Sequence, residues 1–84
     1  MDTALTLDRL RVGERALVTE VTTSGAMRRR LYDLGLAAGT ELECVGKSPA
    51  GDPAAYLIRG AVIAIRAEDG RKIAVNAAGR TEWD

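Results

Sequence analysis

The stretch Gly25-Ala-Met-Arg-Arg-Arg-Leu-Tyr-Asp-Leu-Gly-Leu-Ala-Ala-Gly-Thr40 decides how the rest of the chain is read. Met27, Leu31 and Leu34 stand at i, i+4 and i+7 and so share one face of a helix. Arg28, Arg29, Arg30 and Asp33 fall elsewhere on the wheel and can stay in water. Ser24 stands where an N-cap hydroxyl would accept a first-turn amide. Gly35 is placed for the left-handed position that ends a helix, and Leu36 follows where the cap wants an apolar contact. The stretch predicts a short amphipathic helix that stops at a glycine and feeds a strand.

Outward from the helix, strands and turns are expected. Upstream, Leu7, Leu10 and Val12 give an apolar rhythm up to Gly13, suited to one helical turn that plugs an end of the core. Residues 1 to 6 are expected to fray. Glu14–Thr22 is rich in β-branched residues and reads as a strand, with apolar side chains on both faces. Downstream, Glu41–Val45 alternates cleanly, Leu42 and Cys44 to one side and Glu41 and Glu43 to the other. The turn formers of Gly46–Pro53 predict an exposed loop. Ala54–Arg59 and Ala61–Arg66 follow as strands around Gly60. Asp69-Gly70 is a hairpin signal, and Lys72–Asn76 closes the fold with Ile73 and Val75 inward. The expected architecture is mainly β: a small SH3-like antiparallel barrel of about five strands, with one short helix inserted after the first. One domain over 1–76 and a flexible tail over 77–84, which carries Trp83, complete the expectation.

Composition narrows the function. The chain has 84 residues, 12 basic and 12 acidic, which argues against a general nucleic-acid or anionic-membrane binder. No stretch approaches the roughly 18 apolar residues of a membrane span, and the N-terminus has no secretory pattern. One cysteine, Cys44, excludes an internal disulfide. A cytoplasmic protein is expected. There is no histidine, so the commonest general base and the commonest transition-metal ligand are both missing. Cys44 has no Cys or His at zinc-ligand spacing and reads as a core thiol. Glu41 and Glu43 could share a hard cation or simply face water. Neither serine has a base to activate it, so no catalysis is expected. Aromatic residues are too few for a proline-peptide groove or for stacking bases.

The Arg28-Arg29-Arg30 run is the densest charge feature, and it fans over about 200° of the helix. Asp33 can pair with Arg29 or Arg30, leaving a solvated face. The same residues can instead anchor an acidic partner. Tyr32 either contacts that partner or closes the edge of the core.

With these motifs in place the chain resembles the FeoA family of small cytoplasmic proteins of bacterial ferrous iron uptake. The resemblance is carried by Arg29-Arg30-Leu31, Asp33-Leu34-Gly35-Leu36, Gly39-Thr40, Pro49, Gly51-Asp52-Pro53, Arg59-Gly60, Ile65-Arg66 and Ile73-x-Val75. Tyr32, Ala38 and Asp69-Gly70 depart from the family pattern. The resemblance implies an SH3-like barrel and a non-catalytic accessory of a FeoB-type membrane transporter, docking on its cytoplasmic GTP-binding region. Similar domains end iron-dependent repressors, but without a helix-turn-helix segment no DNA binding is expected here. Association with Fe(II) or another transition metal is implied only at family level; no cofactor is evident and no metal site is assigned. The partner surface expected is the outward helix face, Arg28, Arg29, Tyr32 and Asp33, with Pro49 and Asp52 of the loop. Two alternatives stay open: an Fe(II) sensor or delivery protein using Cys44 and carboxylates, and an SH3-like module that self-associates as a weak homo-oligomer.

Overall fold

The computed structural model describes residues 5–76. Six antiparallel strands form one sheet: β1 (Leu5–Thr6), β2 (Arg15–Val21), β3 (Glu41–Lys47), β4 (Ala54–Ile58), β5 (Ala61–Ile65) and β6 (Ile73–Asn76), in the order β1-β6-β2-β3-β4-β5. The sheet wraps round one continuous core without its two edges joining. A 3-10 turn, Leu7–Arg9, follows β1, and helix α1 (Gly25–Asp33) joins β2 to β3. A single helical turn, α2 (Ala67–Gly70), leads from β5 to β6. The SH3-like, mainly β expectation holds.

Several details differ from the sequence reading. Residues 5 and 6 are not frayed: Leu5 and Thr6 pair with Val75 and Ala74. That makes a sixth strand and places the helix after the second. Two residues are too short to show an alternating pattern. The Leu7–Gly13 segment does plug the core, with Leu7 and Leu10 fully buried, but Val12 is 56% exposed because the 3-10 turn ends at Arg9. The tail expected over 77–84, Trp83 included, lies outside the described residues.

Strand β2 shows apolar residues on both faces because its register slips. Ala16 and Val18 point inward; a bulge between Val18 and Glu20 then brings Val21 rather than Glu20 to the core. One extra residue shifts the period of two by one. A second bulge in β3, between Cys44 and Gly46, leaves Val45 outside.

Helix α1 ends as its sequence specifies. The Leu36 amide donates to the Leu31 carbonyl and the Gly35 amide to that of Tyr32, each at 2.9 Å. This is the paired bonding of a Schellman cap. Gly35 has φ +99°, a left-handed conformation that a side chain would strain. Leu31 and Leu36 are buried, while Met27 and Leu34 pack at the margin of the core. The start of the helix differs from expectation. Ser24 occupies the N-cap position but its hydroxyl makes no capping bond. Gly25, the next residue, is left-handed (φ +67°).

The Asp69-Gly70 hairpin is absent. Strands β5 and β6 are not neighbours, since β6 lies between β1 and β2; no hairpin can join them. The dipeptide instead ends α2, where the Gly70 amide donates to Arg66 O at 2.9 Å. Gly70 is buried beside the turn after β1, where a Cβ would come within 3.1 Å of the Asp8 amide nitrogen. Here the glycine serves close packing, not a turn.

Tyr56 of β4 is 1% exposed, and its hydroxyl donates to the Leu7 carbonyl at 3.2 Å. It ties the plug to the middle of the sheet. Burial pushes its phenol up to about 12, and the nearby Cys44, Asp8 and Asp52 push it the same way. The folded chain thus holds this proton more tightly than the unfolded chain, whose phenol titrates near about 10. The stabilisation is complete below pH 10 and is lost as pH rises through 12, a change of about 2–3 kcal/mol. Tyr56→Phe is expected to remove that alkaline loss and to cost about 1 kcal/mol at neutral pH for the missing hydrogen bond. Urea unfolding of both proteins at pH 8 and pH 11 checks the sign.

Candidate docking surface

Helix α1 presents two different faces. Arg28, Arg29, Tyr32 and Asp33 are all exposed and point away from the sheet. Arg28 and Tyr32, one turn apart, hold each other: the guanidinium donates to the Tyr32 hydroxyl at 2.9 Å and lies 5.2 Å from its ring centre. An exposed contact of this kind is worth about 0.5–1 kcal/mol. It fixes an aromatic ring that is 44% exposed, so Tyr32 does not close the core. Asp33 pairs with neither Arg29 nor Arg30. The ion pairs among the described residues lie elsewhere, from Arg15 to Glu41 and Glu43, both at 3.9 Å. The i+3 and i+4 spacing permits the Asp33 pairs, but exposed ion pairs gain little and cost side-chain freedom.

The opposite face carries Met27, Arg30 and Leu34, again at helical spacing. With Ile65 and Arg66 at the end of β5 and Glu68 of α2 they line a groove of about 360 Å³. A neighbouring depression runs on from it, sharing Arg66 and Glu68 and reaching Asp52, Pro53 and Arg71. Asp52 is fixed in this surface. Its carboxylate accepts the Ala67 amide at 2.9 Å and so supplies, from a distant loop, the cap that Arg66 does not give to α2. The loop is folded by bonds from the Ser48 amide to Pro53 O and from the Gly51 amide to Ser48 O, and Pro49 is exposed on it.

The structure thus brings Asp52 toward the Arg30 side of α1, through α2. The quartet Arg28, Arg29, Tyr32 and Asp33 lines neither depression. Sequence reasoning placed Arg30 in water but left it out of the expected partner surface, and it missed Arg66 and Arg71 there. The signal for Arg30 was present, since it stands three residues after Met27 and four before Leu34. No sequence signal existed for Arg66 and Arg71, because their place depends on the crossover from β5 to β6.

Metal ligation fits poorly. Among the described residues no three Cys, Asp or Glu side chains gather as a ligand set. Cys44 is sealed in the core, and its Sγ approaches the Gly46 carbonyl at 3.9 Å. Glu41 and Glu43 face Arg15. No helix among the described residues is long and apolar enough to cross a membrane.

The described residues thus form a small SH3-like sheet with an inserted helix, a charged helix face and an adjoining groove. The chain matches the model of the FeoA domain over residues 5–77 and belongs to the FeoA family. It is 32% identical over 69 residues to the Fe(2+) transport protein A/Fe(2+) transporter FeoB fusion protein of Porphyromonas gingivalis. That match takes in 82% of this chain but 8% of the fusion protein. The solution structure of FeoA from Chlorobium tepidum is similar at 35% identity and a TM-score of 0.85, covering 94% of this chain and 75% of that one. FeoA of Stenotrophomonas maltophilia, a prokaryotic SH3 domain protein crystallised with zinc, is similar at 31% identity and a TM-score of 0.77, with 88% and 92% covered. The family is one of accessory proteins of ferrous iron transport.

Proposed function

We propose that this chain is a non-catalytic, cytoplasmic accessory protein of ferrous iron uptake that docks on the cytoplasmic part of a FeoB-type transporter. The observation that carries the reading is the Porphyromonas fusion, in which a relative of this chain and FeoB are one polypeptide. Covalent linkage in one protein supports association of the separate partners in another, because a tether only raises the effective concentration of a contact that already exists. The GTP-binding region of the transporter is the docking site we favour, since conformational changes there can be passed to the membrane part. The proposed surface starts at the outward face of α1 (Arg28, Arg29, Tyr32 and Asp33). It crosses the groove at Arg30 and ends on the loop at Pro49 and Asp52. The Arg28–Tyr32 pair suits this role, as arginine and tyrosine are the residue types that most often anchor interfaces.

The zinc of the Stenotrophomonas protein is not carried over, because no three Cys, Asp or Glu side chains gather among the described residues. Ferrous iron enters the proposal as the cargo of the transporter. Uptake of radiolabelled Fe²⁺ by cells lacking this chain tests the role. Restoring the wild-type chain is expected to change the uptake rate severalfold, and the charge reversal Arg29→Glu to recover part of that change. Uptake that is identical with and without the chain contradicts the proposal.

A further inference from the structure

The sheet order leaves β5 with one neighbour, β4. The two strands are joined by Arg59-Gly60, both with positive φ (51° and 87°), the two-residue turn that matches strand twist. Ile58 and Ala61 flank that turn and pair with each other. Antiparallel pairing alternates from that point. Ala61, Ile63 and Ile65 therefore turn their amides and carbonyls toward β4, while Val62 and Ala64 turn theirs to the open edge. No other described element bonds to them. Free edges are usually blunted by a lysine, a proline, a bulge or a covering element. Strand β5 reads Ala-Val-Ile-Ala-Ile, keeps one register along its whole length, and leaves Val62 65% exposed.

Helix α1 stands across the groove from this edge. Met27, Arg30 and Leu34 face Ala64, Ile65 and Arg66. At the other end Arg59 lies over Gly35, where a Cβ would come within 2.9 Å of its Cδ. The groove thus meets β5 at its C-terminal end, beside Arg30 and Arg66, and Arg59 stands at the opposite end of the strand.

We infer that an extended segment of the transporter partner adds to β5 as a further strand in this groove. The inference rests on the docking reading above and names how the contact is made. Main-chain bonds to Val62 and Ala64 hold the segment, and alternate side chains, which must be apolar, pack on Met27, Leu34 and Ile63. Arg30, Arg59 and Arg66 outnumber Glu68 and Asp69, and the two carboxylates sit only at the α2 end. The segment therefore carries acidic residues opposite Arg30 and Arg59 and none opposite α2. A second copy of this chain fits worse: its own edge reads Ala-Val-Ile-Ala-Ile between Arg59 and Arg66 and carries no carboxylate to meet these arginines.

Ala64→Pro is the informative variant. It removes an amide that bonds to nothing within the chain, and proline is accepted on a free edge. The cytoplasmic part of the cognate FeoB-type transporter is titrated into wild type and variant, and amide exchange is followed in the wild-type complex. Wild type is expected to bind and Ala64→Pro to bind at least tenfold more weakly. In the complex, the Val62 and Ala64 amides are expected to exchange at least tenfold more slowly, with that of Ile63 unchanged. The wild-type exchange decides the matter even if the variant does not fold. Binding with Val62 and Ala64 still exchanging freely overturns strand addition and leaves the docking reading standing. No binding by wild type overturns both. Protection of the same amides by raising the concentration of the chain alone overturns the choice of occupant in favour of a second copy.

Discussion

Replacing Leu36 by alanine is expected to destabilise the fold by about 2–5 kcal/mol, the usual cost of emptying a fully buried leucine site. Leu36 is 0% exposed and sits three residues past the end of α1. Its amide closes the helix cap on the Leu31 carbonyl at 2.9 Å, and its side chain shares the core with Leu31. It therefore fixes both where the helix stops and how it lies on the sheet. A chain of 84 residues holds roughly 4–12 kcal/mol of stability in all, so this one truncation removes a large share. At about 4–8 °C per kcal/mol for a domain of this size, the melting temperature should fall by at least about 8 °C. Leu36→Met, which nearly conserves volume, should cost less than about 1.5 kcal/mol. Thermal unfolding followed by circular dichroism separates the two. A loss below about 1 kcal/mol for the alanine variant would mean that the cap holds without its apolar anchor.

The second large effect is on docking. Arg30→Glu is expected to weaken binding to the cytoplasmic part of the transporter by about 30-fold or more, the loss of an anchor worth about 2 kcal/mol. Arg30 is exposed and is in no ion pair among the described residues. Its reversal should leave stability within about 0.5 kcal/mol. Arg29→Glu, on the outward face, changes a rim charge. It should cost only a few-fold and mainly slow association, with an effect that fades in high salt as screening shortens the reach of surface charge. Calorimetry or biolayer interferometry at two ionic strengths ranks the two positions. Equal effects would place the helix face, and not the groove, at the centre of the contact.

How much was legible depended on whether local chemistry or topology made the decision. Helix α1 was readable because Met27, Leu31, Leu34, Gly35 and Leu36 all state the same thing within one short stretch. Strands β3 and β4 were readable from alternation. The inward face of β2 was not, because the bulge at Thr19 changes phase midway and no residue type announces it. Asp69-Gly70 misled for a related reason: the dipeptide is a strong local turn former, but sheet order is set by distant pairings, Val18 with Val75 and Leu5 with Val75. The same limit governed the candidate surface. The exposure of Arg28, Arg29, Tyr32 and Asp33 follows from the helical wheel alone. That Arg30 shares a groove with Arg66, and that Asp52 caps α2 from another loop, follows only once β5 is known to end beside α1. The free edge of β5 was likewise invisible, because a run such as Ala-Val-Ile-Ala-Ile reads the same at the centre of a sheet as at its margin.

On the function proposed above, this FeoA-family chain works by binding the cytoplasmic part of a FeoB-type transporter. Isothermal titration of that cytoplasmic part with the wild-type chain, in the absence and presence of guanine nucleotides, tests it most directly. Saturable binding with a defined stoichiometry in at least one nucleotide state is the predicted result; no binding in any of them would contradict the account.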